Sequence, residues 1–259
     1  MRPAFLAACG LILAFLLTPV LIVICFALNP EPFIAFPPSG ISLRWFGKFF
    51  ASRDFMAAFW LSLGLGLATV VIAGLIGTLA AIALSRGRFP GRAVLVQLFL
   101  SPIVLPSILT GFALFQLAMV AGLGRNLGIL LAGHLVVATP YVLRTVLAML
   151  AQSDRALEEA ARNLGATPAR AFREVTLPLI RPGVMAGMLF AFIVSFDQFP
   201  VSLFLVSPGQ ETLPIAMFNY LRFDFDGTIA AASCVSILLA VILVIGIERM
   251  IGLQEYTRL

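Results

Sequence analysis

The sequence predicts an all-α integral membrane protein with about six transmembrane helices and a cytoplasmic helix-turn-helix between the fourth and fifth. Three observations carry that expectation. Of the 259 residues, 61 % are hydrophobic and only 11 % charged, where a soluble domain holds about 25 % charged residues. The apolar residues come in runs of about 20 or more, without the alternation of a barrel strand. The longest polar stretch, residues 151–182, interrupts those runs only once. With a mean hydropathy of +1.07, the chain needs the bilayer as its solvent. There each backbone donor and acceptor must be satisfied within the protein, and unalternating runs achieve that as helices.

The runs are read in order as spans at about 4–28, 56–84, 93–121, 128–150, 183–206 and 227–247, in a single transmembrane domain covering 1–259. The first is longer than the roughly 7–15-residue apolar core of a signal peptide and is read as a retained helix. A Pro- and aromatic-rich excursion with Pro37, Pro38 and Trp45 follows it. Gly64, Gly66, Gly74 and Gly77 in the second span, and Gly183 and Gly187 in the fifth, let helix backbones approach closely in lipid. Pro102 and Pro106 predict a kink in the third span, and Pro140 lies within the fourth. Cys9, Cys25 and Cys234 fall inside apolar runs with no metal-type spacing.

Six spans place both ends on one side. With those ends inside, Arg2, Arg86, Arg88, Arg92, Arg144, Arg155, Arg162, Arg170, Arg173, Arg181, Arg249 and Arg258 are cytoplasmic, 12 of the 17 basic residues. Arg44, Lys48, Arg53, Arg125 and Arg222 are outside. The bias predicts cytoplasmic termini. It also accounts for the net charge of +5 without nucleic acid.

Residues 151–182 read as two short helices around a turn. Ala156, Leu157, Ala160, Ala161 and Leu164 share helical spacing. Gly165 stops that helix, Thr167 caps a second, and Pro168 suits its first position. Ala169, Phe172 and Val175 form its apolar face, and Pro178 and Pro182 are expected to end it.

Glu159-Ala160-Ala161, three residues, Gly165, nine residues, Val175, Thr176, Leu177-Pro178 resembles the "EAA" loop of ABC importer permeases. Only Val175, where the family pattern has Ile, departs from it. The resemblance extends over the whole chain in span count, loop lengths and loop position. It implies that Glu159, Ala160, Ala161, Gly165, Ala166, Thr167, Pro168, Leu177 and Pro178 form a loop docked on a separate ATP-binding subunit. It also implies a second permease (homologous, or another copy), an extracytoplasmic solute-binding protein docking on 29–55 and 207–226, and residence in a bacterial inner membrane. No GxxxxGK[ST] occurs in this chain, so ATP-Mg is expected on the partner ATPase dimer and no cofactor here.

Asp197 is the one acid well inside a span, an expensive placement that marks a functional candidate. Phe196, Gln198 and Phe199 surround it, and Pro200 denies the Phe196 carbonyl an N–H donor. A carboxylate, an amide, a carbonyl and aromatic rings suit a cationic amine. The alternative is that Asp197 binds a polar group of a neighbouring helix and fixes packing. Ser195-Phe196-Asp197 followed by Thr212-Leu213-Pro214 is similar to the spermidine/putrescine branch of these permeases; related branches carry ferric iron, phosphonates or other small solutes. Tyr220 and Asn219 are candidates for an outer gate. Glu211, Asp224 and Asp226 form an acidic lip. His134, mid-span, is expected to be packed and hydrogen-bonded, and Arg144 to snorkel.

An intramembrane enzyme finds no support, since neither HExxH nor GxSxG occurs. A self-sufficient carrier would be expected to show matched halves, and a channel would leave the loop pattern unexplained.

Overall fold

Twelve helices, and no strand among the described residues, follow from the apolar runs. The computed structural model describes residues 2–33, 39–87 and 89–251. The Pro37–Pro38 pair, Arg88 and the tail with Arg258 lie outside the described residues. In order, the helices are α1 (Arg2–Leu28), α2 (Arg44–Ala51), α3 (Arg53–Arg86), α4 (Arg92–Val104), α5 (Ser107–Val120), α6 (Leu127–Gln152), α7 (Arg155–Asn163), α8 (Pro168–Ala171), α9 (Leu177–Phe196), α10 (Phe199–Leu205), α11 (Leu213–Phe223) and α12 (Gly227–Ile251).

Five helical stretches are long and apolar enough to cross a membrane: α1, α3, α6, α8 through α9, and α12. The expected third span is two helices, α4 and α5, bent by 109° at Leu105–Pro106, and it makes the sixth if the pair is one broken span. The predicted kink is therefore a sharp corner, because Pro106 both lacks an N–H and drives Leu105 into extended backbone (φ −75°, ψ 140°).

Two further expectations change. Pro178 and Pro182 do not end the second helix of the polar loop; the helix runs from Pro168 to Phe196. A π-turn at Phe172–Thr176 shifts the register, with the Leu177 N–H reaching back to the Phe172 carbonyl, so Pro178 stands in the first turn of α9. The fifth span in turn breaks at Asp197–Gln198.

The described chain divides into two compact units. In the larger, Phe59–Ile215 with Ile242–Leu259, α6 is the central helix: Ala138, Val142, Leu143, Val146 and Leu150 are buried against Ala73 and Ala81 of α3 and Ile180 and Ala191 of α9. The expected Gly183–Gly187 pair is the contact between α9 and α6. A Cβ at Gly183 would meet the Thr145 carbonyl at 2.9 Å, and one at Gly187 would meet the Val142 Cα at 2.7 Å. In the smaller unit, Met1–Ala58 with Ala216–Val241, Trp45 is buried among Ala27, Ala230 and Ala231 and donates its Nε1–H to the Asn29 carbonyl at 2.7 Å. Most of α1 is exposed, including Phe5, Leu11 and Phe15, as suits a helix solvated by lipid.

Candidate functional site

The polar loop is built from end signals. Asp154 caps α7 by accepting from the Ala156 N–H at 2.9 Å. At the other end Gly165 adopts φ +93°. Its N–H bonds the Arg162 carbonyl and the Ala166 N–H bonds the Ala161 carbonyl, both at 3.0 Å. That pair of bonds is a Schellman closure, which needs a left-handed residue. Thr167 then accepts from the Arg170 N–H at 3.3 Å, with Pro168 next to it.

The closure leaves Leu164 89 % exposed at the tip of the loop. Glu159, Ala160, Gly165, Thr167, Pro168, Leu177 and Pro178 are exposed; Ala161 and Ala166 are half-buried. Among the described residues Glu159 makes no ion pair with Arg162. Its neighbour Glu158 is the anchored acid: it pairs with Arg86 Nη2 at 2.7 Å and accepts from the Thr176 hydroxyl at 2.9 Å. Arg155 donates to the Arg86 carbonyl at 3.2 Å. One carboxylate thus ties α7 to the π-turn and to the end of α3. Sequence reading singled out Glu159 and passed over Glu158, because its partners are distant in the chain and no local period marks them.

The second locus is the break in the fifth span. The Asp197 N–H still bonds the Ile193 carbonyl at 3.1 Å, but the Phe199 N–H turns to the Asp197 carbonyl at 2.9 Å. Helix α10 restarts with Pro200 in its first turn. Phe196 is buried, stacked on Phe192 at 5.6 Å and edge-on to Phe59 at 6.1 Å. Gln198 is buried, Phe199 half-buried, and Asp197 exposed. Among the described residues no basic side chain pairs with Asp197. The turn therefore leaves an open carboxylate between two buried residues, Phe196 and Gln198.

Tyr220 belongs to the other unit. Its hydroxyl donates to Asp226 Oδ2 at 3.0 Å and accepts from Lys48 Nζ at 2.7 Å, and Lys48 pairs with Asp226 Oδ2 at 2.7 Å. Burial pushes the Asp226 carboxyl up, but the hydrogen bonds from Lys48, Thr228 and Tyr220 outweigh it and hold the pKa below its ordinary value. The hydrogen bond to Asp226 raises the Lys48 ammonium. Asp226 is thus neutralised within the chain and does not contribute an open anion to the expected acidic lip. No group of three or more His, Cys, Asp or Glu side chains among the described residues could hold a metal ion.

The family described as "Binding-protein-dependent transport system inner membrane component" matches residues 73–251. The putrescine transport system permease protein PotI of Escherichia coli (strain K12) is 33 % identical, covering 84 % of this chain and 79 % of its own. The spermidine/putrescine transport system permease protein PotC of the same strain is 29 % identical, covering 95 % and 91 %. Among solved structures, a bacterial ABC transporter involved in the import of the acidic polysaccharide alginate superposes with a TM-score of 0.72 at 16 % identity, covering 96 % of this chain and 95 % of that one. That last likeness speaks to the fold.

Proposed function

The chain belongs to the family of binding-protein-dependent transport inner membrane components and is a non-catalytic, multi-pass permease subunit of an ATP-driven ABC importer in the inner membrane, and from that premise we propose that its cargo is a polyamine such as spermidine or putrescine. The observation that carries the cargo reading is Asp197: an exposed carboxylate without a basic partner among the described residues, at a break in a span. Discontinuous helices are where transporters build substrate sites. A primary ammonium satisfies such a carboxylate by charge-assisted hydrogen bonds. The polyamine permeases PotI and PotC among its relatives support the same cargo.

Residues 151–182 dock on the ATPase in this reading. Leu164 and the Gly165–Pro168 turn are the exposed tip, and Glu159 is the charge offered to the partner. The Glu158–Arg86 pair transmits the motion to α3. ATP-Mg is held by the ATPase dimer. A second permease, homologous or another copy, completes the pathway, and an extracytoplasmic binding protein docks on 29–55 and 207–226. Counting α4–α5 as one span, the distribution of basic residues supports a cytoplasmic location for both termini.

The test is reconstitution with the ATPase, the second permease and the binding protein, measuring ATP hydrolysis and labelled spermidine uptake. Glu159→Arg is expected to uncouple hydrolysis from uptake, and Asp197→Asn to abolish most uptake while the complex still assembles. Uptake without any ATPase would overturn the docking role. Coupled hydrolysis that spermidine and putrescine neither stimulate nor follow would overturn the cargo.

A further inference from the structure

Four buried polar side chains form one chain of hydrogen bonds around the break between α9 and α10. His134 of α6 places Nδ1 2.7 Å from Ser195 Oγ and Nε2 3.0 Å from Ser202 Oγ. Ser195 Oγ lies 3.2 Å from Thr69 Oγ1 of α3. None of the four is more than 1 % exposed. With Ser195 donating to Thr69, the ring carries its proton on Nδ1 and gives it to Ser195, while Ser202 donates to the bare Nε2.

The placement matters more than the bonds themselves. Ser195 lies in the last turn of α9 and Ser202 in α10, so the imidazole touches both sides of the discontinuity at Asp197–Gln198. On a straight helix two hydroxyls seven residues apart stand about 10 Å apart along the axis, wider than one imidazole with two hydrogen bonds spans. The bridge therefore exists only while the helix is broken. Neighbouring packing holds the same geometry: a Cβ at Gly133 would meet the Val201 side chain at Cγ1 at 2.9 Å, and one at Gly111 would meet the Val201 backbone at Cα at 2.8 Å. Helix α10 is thus pressed onto α6 beside His134 and onto α5.

We propose that His134 is a positioning residue, a clamp that holds α9 and α10 at a fixed angle and thereby sets the direction in which the Phe196–Phe199 turn presents Asp197. Histidine suits the task because its two nitrogens sit on opposite sides of one rigid ring. Glutamine keeps a donor and an acceptor but on a flexible stem, and leucine fills similar space with neither. In transport the clamp rests on the reading of Asp197 as a pathway residue; the geometry of the turn can be read without it.

The experiment uses the assembled importer with Cys9, Cys25 and Cys234 replaced by Ser and Asp197→Cys introduced. The rate at which a water-soluble methanethiosulfonate reagent modifies position 197 is measured with His134 intact and in His134→Gln, His134→Leu and Ser202→Ala. Losing the buried link across the break, at both hydroxyls in His134→Leu and at one in Ser202→Ala, is expected to change that rate by about fivefold to tenfold, with Gln nearer to wild type. With Asp197 restored, the same two variants are expected to raise KM for labelled putrescine by a similar factor and to leave the maximal rate of ATP hydrolysis within about twofold. An unchanged modification rate in an assembled His134→Leu complex would overturn the clamp. Should that variant fail to assemble, Ser202→Ala, which deletes a single hydroxyl, decides in the same way. A changed rate with an unchanged KM upholds the clamp and removes Asp197 from the pathway.

Discussion

Arg86 and Glu158 close a 2.7 Å ion pair that joins the C-terminal end of α3 to α7. Both side chains are about one-quarter exposed, and the same carboxylate also satisfies the buried Thr176 hydroxyl. The pair stands between the surface and the interior, so its worth lies above that of a solvated pair. Glu158→Ala orphans the guanidinium and the hydroxyl together and is expected to cost about 1–3 kcal/mol. Glu158→Gln keeps the acceptor oxygen and is expected to cost less. Thermal unfolding of the purified complex checks the order, and the ratio of uptake to ATP hydrolysis checks the proposed transmission, which should fall in Ala more than in Gln. Equal ratios in both variants and wild type would leave the pair a purely structural tie.

The contact between α6 and α9 yields the second prediction. A Cβ at Gly187 would overlap the Val142 backbone, which cannot rotate away as a side chain end could. Gly187→Ala is therefore expected to force the helices apart and cost about 1–3 kcal/mol. Gly64, at which an added Cβ meets nothing within 4 Å, is the control and is expected to accept Ala without loss. Detergent-solubilised thermal stability of the two variants distinguishes them; an equally mild effect at both would mean the interface is looser than the backbone geometry shows.

What the sequence revealed and what it hid divide along a physical line. Spans were legible because the bilayer demands a run of apolar residues whatever the tertiary contacts. Cap residues were legible because Asp154, Gly165 and Thr167 act within four residues of their partners. Prolines mislead: Pro178 and Pro182 read as stops, yet the helix continues through both, with a π-turn at Phe172–Thr176 just before Pro178. The break at Asp197 lay inside a run with no local interruption except Pro200. The bonds that stabilise it come from His134 in α6 and Thr69 in α3, far along the chain. Glu158 and Arg86 were hidden for the same reason.

The Lys48–Asp226 pair gives a pH dependence with a definite sign. Asp226 is held below its ordinary 3.8, so its contribution to stability is present above that value and is lost as pH falls through the lowered pKa. Lys48 is raised above 10.5, so its contribution is present below that value and is lost as pH rises through the raised pKa. The gap in melting temperature between wild type and Asp226→Asn is expected to stay level from about pH 5 to about pH 9 and to close in acid. Because Lys48 is 52 % exposed, added salt should narrow the gap as well. A gap that persists undiminished well below the ordinary carboxylate value would show that Asp226 acts through its hydrogen bonds to Thr228 rather than through its charge.

Gly165 carries the last prediction. Its φ of +93° is what turns the chain from α7 into the Thr167 cap, and an added Cβ there would meet no neighbouring atom within 4 Å. Any penalty on substitution is thus conformational strain and not a clash. For alanine in a left-handed conformation that strain is about 1–2 kcal/mol, and asparagine tolerates the region better. A strained turn relaxes by opening the two Schellman bonds, which would swing Leu164 and Pro168 away from the arrangement proposed to enter the ATPase. Gly165→Ala is expected to reduce uptake per ATP hydrolysed by about tenfold, with Gly165→Asn between it and wild type. Because residue 165 is exposed, the membrane core should keep its thermal stability in both variants, which separates a failure of docking from a failure of folding. If Ala and Asn reduce coupling equally, the absence of a side chain at the tip matters rather than the backbone angle, and the docked surface must reach Gly165 itself.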